Sequence, residues 1–359
     1  MGETHTERRR RLAALIAGRD AGALLVTRLV NVRYLTGLDS SNAALLVFAD
    51  GAAVLATDGR YAEMARAACP DLDVLVERRT AAALTTLAAD SGTGVLGFEA
   101  HDLTVEAHAE LAAEDDGIGF KPLGHPVEQL RAVKDEQELA LLREACAITD
   151  RAFEAVLPEI APGVTEREIA IALERRMVDL GAEAPAFESI VASGPNGAVP
   201  HHHPGSRAIE PGDLVTMDFG ARYGGYHADM TRTVAIGAPA AWQREVYDLV
   251  RHAQQAAVDA AVPGAETRAV DAAARDIIAA AGHGAAFSHG LGHGVGLEIH
   301  EAPLLGYDKT GKLTDRVPIT AEPGVYLAGR GGVRIEDTLV VRADGPELLT
   351  ETTKELLVL

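Results

Sequence analysis

Up to about Pro126, short apolar runs alternate with segments whose apolar residues recur every three or four positions. The runs are residues 23–27, the stretch AALLVFADGAAVLAT from Ala43, GVLGFEA and IGFKPL; being short and apolar, they predict strands. Asp50-Gly51 divides the second run into a hairpin, because that dipeptide favours tight turns. Residues 105–113 have helical spacing. So does the N-terminal stretch, where Leu12, Leu15 and Ile16 form an apolar stripe and Arg8 to Arg11 are expected to make the polar face. This alternation predicts an α/β domain over residues 1–126.

Two prolines and a glycine in KPLGHP, residues 121–126, break the pattern and mark a boundary, leaving residues 127–359 as a second domain. A long helix is expected from near Lys134, where Leu139, Leu142, Ala145, Ile148, Ala152 and Val156 define one buried stripe. After Pro162-Gly163 a second helix is predicted, with Thr165 as N-cap and Glu168 closing a capping box. From Ser189 the texture turns to β, with alternating runs at Leu214–Phe219 and residues 231–236. Two further helices, residues 243–261 and 267–281, precede a His/Gly-rich segment and the last strands.

This second domain echoes itself. PGVTEREIAIALERRM from Pro162 is answered by PGAETRAVDAAARDII from Pro263, and Glu210-Pro211-Gly212 by Glu322-Pro323-Gly324. Gly225 stands four residues before Asp229, as Gly332 stands four before Glu336. A repeat offset of roughly 100 residues implies two pseudo-equivalent halves rather than a solenoid. Packed about a local two-fold axis, they would bring Asp229 and Glu336 to one place.

The chemistry follows. In VTMDFG, alternation puts Thr216 and Asp218 on one face, and the return strand carries Asp229 back toward Asp218. Two carboxylates brought together repel unless a cation lies between them. For this hairpin alone, a salt bridge to Arg222 or Arg232 serves equally well. The second half supplies Glu322 and Glu336 by a related route and tips the reading toward metal. His293 joins them from HGLGHGVG, whose alternate glycines are expected to permit close backbone approach and positive φ. That spacing is not a phosphate-loop pattern and no P-loop lysine follows. Four carboxylates and an imidazole suit Mn²⁺ or Co²⁺, with Zn²⁺ or Fe²⁺ as alternatives, and two divalent ions would balance the four acids.

The net charge of −20 argues against nucleic acid and anionic membranes. No apolar run reaches the 18 or so residues of a membrane span, and the N-terminus lacks a signal peptide's apolar core. The two cysteines, Cys69 and Cys146, lack metal or redox spacing. A reduced, cytoplasmic protein is expected.

The segments SGPNGAVPHHHP, VTMDFG, HADMTRT, HGLGHGVGLEIHEAP, AEPGVY and VRIEDT together resemble the motif set of the pita-bread metallopeptidases, within them the Xaa-Pro peptidases, prolidase and aminopeptidase P. NVRYLTG and ATDGRY are similar to the creatinase-type N-terminal domain. The resemblance implies an α+β chain: a C-terminal pita-bread fold with an internal pseudo-two-fold, preceded by a smaller α/β domain. It implies Asp218 on one ion, Asp229 and Glu336 bridging, and His293 with Glu322 on the other, with Glu322 also shuttling the proton. His300 would stabilise the tetrahedral intermediate, and His201, His289 and Arg334 would form the substrate pocket. His202 and His203 match nothing functional and are expected to face solvent. The implied activity is hydrolysis of the Xaa-Pro bond with two divalent ions, Mn²⁺ foremost, in a homodimer. The compact chain favours the dipeptidase, prolidase, over an aminopeptidase P acting on longer peptides. Behind these stand a methionine-type aminopeptidase and a metal-free binding relative.

Overall fold

The computed structural model describes residues 2–114 and 117–359. The chain divides after Arg131 into two compact units. In the N-terminal unit the runs expected as strands, joined by an edge strand Asp73–Val76 that the sequence pattern does not single out, become among the described residues a mixed sheet ordered Asp73–Val76, Ala53–Thr57, Ala43–Phe48, Ala23–Val26, Val95–Phe98, Gly119–Pro122. The hairpin turns at Asp50-Gly51, where Gly51 takes a positive φ of 99°. Helices Thr80–Asp90 and Leu29–Thr36 escaped the sequence reading. The first is too rich in alanine and threonine to show a clean stripe, and the second is a short run in which Asn31, Val32, Tyr34, Leu35 and Thr36 are all buried.

The first helix, Gly2–Ala17, buries Leu12 and Ile16 as expected, but its arginines do not form one polar face. Arg8 and Arg9 are buried. Arg8 Nη1 donates to Tyr34 O at 3.1 Å, and Arg9 Nη1 donates to Leu35 O at 2.7 Å while pairing with Asp71. They supply donors for carbonyls at the end of a neighbouring helix, where intrahelical partners run out. Arg10 and Arg11 remain exposed.

In the C-terminal unit the long helix is Glu136–Val156, and every residue of its expected stripe is fully buried. Asp135 caps it, accepting from Gln137 N and Glu138 N. Glu166–Asp179 follows with the capping box of Thr165 and Glu168 in place. Strands Ile190–Ser193, Leu214–Phe219 and Met230–Ala235 pair antiparallel. In the second half, helices Ala241–Ala260 and Thr267–Ala280 precede strands Gly292–Gly294, Pro318–Ala321 and Asp337–Val340, also antiparallel neighbours. Each half therefore contributes a helix pair and a three-strand core, with an apolar cluster of its own. Among the described residues no helix is long and apolar enough to cross a membrane.

Buried polar contacts join the halves. Arg232, 2% exposed, donates to Asp337 Oδ1 at 2.7 Å, to Glu336 O, and to the carbonyls of Thr352 and Thr353. Thr338 Oγ1 donates to Asp229 O at 2.7 Å, and Thr233 Oγ1 donates to Arg334 O at 3.0 Å. Removing Arg232 leaves buried Asp337 with only Lys354 as counter-charge, at 2.7 Å, and takes the donors from the carbonyls of Glu336, Thr352 and Thr353. Arg232→Met is therefore expected to lower stability by about 3–5 kcal/mol. Urea unfolding followed by the emission of the single tryptophan, Trp242, which lies in this unit, measures it. A loss below ~1 kcal/mol would show that the pair contributes no more than a surface contact does.

Candidate metal centre

The two halves deliver their acids from matching places. Asp218 lies near the end of Leu214–Phe219, and Asp229 stands immediately before Met230–Ala235. Glu322 follows the end of Pro318–Ala321, and Glu336 immediately precedes Asp337–Val340. His293 is central in Gly292–Gly294. All five line one cavity of about 280 Å³, together with His201, His300, Phe187, Ile190 and Ile299. Ligand atoms of Asp229, His293 and Glu336 fall within 4.8 Å of one another.

Glycine makes this approach possible, though by closeness rather than by unusual φ. A Cβ on Gly220 would meet Ala228 O at 1.8 Å, so the turn joining the two aspartates closes only around glycine. On Gly292 and Gly294 it would meet Thr320 O at 2.2 Å and Ala302 O at 2.4 Å. None of Gly290, Gly292, Gly294 and Gly296 takes a positive φ, contrary to the expectation for this segment. Their missing side chains let the strand bearing His293 press against its neighbours.

Burial and mutual repulsion dominate the electrostatics. Burial, then the charges of Asp218 and Glu322, pushes the Asp229 carboxyl well above its ordinary pKa. Glu336 is driven up by burial and then by Asp229, Glu322 and Asp218. Glu322 is pushed up to about 7, chiefly by burial, with His293 and Arg334 opposing. The arginine bridges open to Asp218 and Asp229 from sequence are not formed. Arg222 faces Glu183 at 3.5 Å and Arg232 holds Asp337. Asp218 instead accepts from Arg334 Nη2 at 2.6 Å, across the two halves.

The donor set fits divalent metal. Asp218 Oδ1 and Glu336 Oε1 are buried with no hydrogen-bond donor, while their sister oxygens are satisfied by Arg334 and by Thr231 Oγ1 at 2.7 Å. A buried bare carboxylate oxygen is costly unless a cation meets it. His293 Nδ1 donates to Gly294 O at 3.0 Å, which leaves the Nε2 lone pair facing Asp229 and Glu322, each at 3.5 Å. That tautomer is the one a metal ligand needs.

His201 and His300 line the cavity; His289 and Arg334 do not. His300 packs edge-on against His293 with centroids 4.4 Å apart, and burial, then His293 and His201, lowers its pKa. Arg334 is 2% exposed and spends its donors on Asp218, on Thr231 Oγ1 at 3.0 Å, and on Pro200 O and Tyr326 OH at 3.3 and 3.0 Å. Tyr326 OH lies 2.8 Å from His289 Nε2, whose Nδ1 donates to Gly290 O. Burial holds the pKa of His289 down to about 4, so its ring is neutral and Nε2 accepts. These two residues therefore form a scaffold behind the acids.

Glu166, absent from the sequence reading, governs the wall that carries His201. It is fully buried and accepts from Ser193 N (2.7 Å) and Oγ (2.8 Å), Asn196 Nδ2 (2.9 Å), His202 Nε2 (2.8 Å) and Gly205 N (3.2 Å). His202 thus does not face solvent as expected: its side chain is 19% exposed and anchored, whereas His203 is 83% exposed. The only signal for Glu166 was its place beside the N-cap Thr165, where an acid reads as helix-start chemistry.

Comparison with known proteins adds the following. Residues 140–343 match metallopeptidase family M24, and residues 8–133 match the creatinase/prolidase N-terminal domain. The chain is 46% identical over 239 residues to an Xaa-Pro dipeptidase of Pyrococcus furiosus, covering 66% of this chain and 68% of that one. An Xaa-Pro dipeptidase structure from Bacillus anthracis superposes with a TM-score of 0.96 at 37% identity, covering 99% and 100% of the two chains. An X-Pro aminopeptidase from Thermotoga maritima does so with a TM-score of 0.88 at 33% identity, covering 96% and 99%.

Removing the Glu166 carboxylate should free the 193–205 segment. Hydrogen bonds to a charged acceptor contribute about 1.5–3 kcal/mol each, so Glu166→Ala is expected to speed amide exchange at Ser193 and Gly205 about 10–100-fold. Exchange by mass spectrometry reads this out, and unchanged protection there would mean that the segment is held by other contacts.

Proposed function

The chain belongs to metallopeptidase family M24, and on that premise we propose that it hydrolyses the bond preceding proline, with Xaa-Pro dipeptides as its best substrates. The observation that carries this reading is the meeting of five metal-type ligands with an apolar wall in one cavity, the wall formed by Phe187, Ile190, Pro204 and Ile299. Such a wall suits a pyrrolidine ring, which has no N–H to satisfy. Two of the relatives above carry the name Xaa-Pro dipeptidase, which favours the same substrate class.

Asp218, Asp229, His293, Glu322 and Glu336 would hold two divalent ions, for which we propose Mn²⁺. Bound there, such ions supply a Lewis acid for the scissile carbonyl and acidify a water at neutral pH. The chain's own groups do the rest. Glu322, partly open to the cavity, takes the proton from the attacking water and returns it to the proline nitrogen. His300 presents an imidazole N–H to the oxygen that gains charge in the tetrahedral intermediate. His201 offers a donor to the carboxylate that ends a dipeptide, and Glu166 fixes the segment on which His201 rides. Thr231 and Arg334 hold Glu336 and Asp218 by one oxygen each.

A second reading, an aminopeptidase acting on longer Xaa-Pro peptides, draws on the likeness to the Thermotoga maritima structure.

Metal dependence comes first among the expectations. Exhaustive chelation should abolish hydrolysis and Mn²⁺ should restore it, while Asp229→Asn should lose bound metal and activity together. Full activity in protein shown by metal analysis to be empty would sink the proposal. His300→Ala should keep its metal yet lose about 10²–10³-fold in kcat, the worth of an oxyanion donor.

Substrate choice is settled by a panel of Ala-Pro, Met-Pro, Ala-Ala, Ala-Pro-Ala and Met-Ala-Ser. The dipeptides with proline should be cleaved fastest and Ala-Ala much more slowly. Faster cleavage of Ala-Pro-Ala moves the assignment to the aminopeptidase; cleavage of Met-Ala-Ser alone moves it to a methionine-type enzyme.

A further inference from the structure

We propose that His101, His125 and Glu128, in the N-terminal unit, form a separate site for a borderline divalent ion of the zinc class. None of the three belongs to the catalytic set. Their ligand atoms lie within 4.8 Å of one another. His101 Nε2 is 2.8 Å from Glu128 Oε1, and His125 Nδ1 is 3.9 Å from Glu128 Oε2. Donors bound tetrahedrally to zinc at its usual bond lengths sit about 3.4 Å apart. The two spacings bracket that value, so closing the site needs only small side-chain rotations. The larger movement falls on His125, whose side chain is 60% exposed.

The carboxylate is already placed. Glu128 Oε1 accepts from Asn31 Nδ2 at 2.8 Å and from Arg28 Nη1 at 3.2 Å, and Asn31 is itself fixed by Arg131 Nη1 donating to its Oδ1 at 2.7 Å. Burial alone would raise the pKa of Glu128, but Asn31, the backbone N–H of Glu128 itself and His101 together outweigh burial and lower it. Its other oxygen, Oε2, is buried and receives no hydrogen bond. One oxygen is saturated and the other bare, on an anion held from behind: this is how outer partners prepare a metal ligand.

The imidazoles argue the same way. Their centroids are 4.1 Å apart with planes inclined at 38°. Two protonated rings at that distance would repel, and an ion pair between His101 and Glu128 alone explains neither the second ring nor the bare Oε2. Two neutral imidazoles sharing one cation with the carboxylate account for both. The nitrogen donors select Zn²⁺, Co²⁺, Ni²⁺ or Cu²⁺ over Mg²⁺ and Ca²⁺, with water completing the shell.

The test uses the full-length chain, stripped of metal and dialysed against buffered Zn²⁺, with bound zinc counted per chain. His101→Gln/His125→Gln should bind one zinc fewer than the natural protein. Asp229→Asn, disabled at the catalytic cluster, should retain the N-terminal zinc and lose it when the two histidines are also replaced. Circular dichroism checks that the variants fold. Should the double variant misfold, His125→Gln alone decides, since it should weaken this zinc at least tenfold. Equal zinc counts and affinities in the natural protein and a folded histidine variant overturn the proposal.

Discussion

Four carboxylates held out of water at one point are the constraint on which the C-terminal unit depends. Asp218, Asp229, Glu322 and Glu336 repel one another and lose hydration, which is why burial and their neighbours raise three of them. A fold can hold such a group only if each carboxylate is fixed on one side and met by positive charge on the other. The structure shows the first half of that bargain in detail. Thr231 holds Glu336, Arg334 holds Asp218, and the backbone behind them is pinned by Thr338 and Arg232. The bare oxygens on Asp218 and Glu336 mark where the second half belongs.

Those fixing contacts cross between the two halves, which explains the internal echo. Strand 230–235 of one half runs beside 333–338 of the other, and its threonines alternate between tasks. Thr231 serves Glu336 and Arg334, while Thr233 exchanges hydrogen bonds with the Arg334 backbone. Arg334 reaches further, through Tyr326 to His289 and to the carbonyl of Pro200. A single buried guanidinium thus ties an acid of the first half, the His201 segment and the His293 strand into one framework.

Much of this was legible in the residue pattern. The stripe from Leu139 to Val156, the Thr165 capping box and the convergence of the five ligands follow from periodicity and from the repeated Glu-Pro-Gly and Gly-Gly signals. Those signals are local, and local rules govern them. What escaped is long-range or concealed by ambiguity. Arg8 and Arg9 sit in a run of four arginines that looks like a solvated face, and only the carbonyls of Tyr34 and Leu35 show why two of them turn inward. Glu166 reads as a helix-start acid, and its five donors come from a segment 27 to 39 residues away. The resemblance implies pocket roles for His289 and Arg334, whereas local packing shows them linked through Tyr326 and outside the lining of the cavity.

The wide spacing of the ligands along the chain has a consequence for synthesis. Asp218 and Asp229 leave the ribosome long before Glu336, and the contacts that hold the first pair come from the late half. The N-terminal unit and the first helix pair can order early, but long-range β pairing must wait for its partner strands. The hydrolytic centre can therefore be completed only once the chain has passed Glu336 and the segments that brace it, up to Thr352 and Thr353, have been made. A polypeptide interrupted just before Glu336 carries three of the four acids but neither Glu336 nor the Thr338 that braces Asp229, so unfinished copies cannot attack their surroundings.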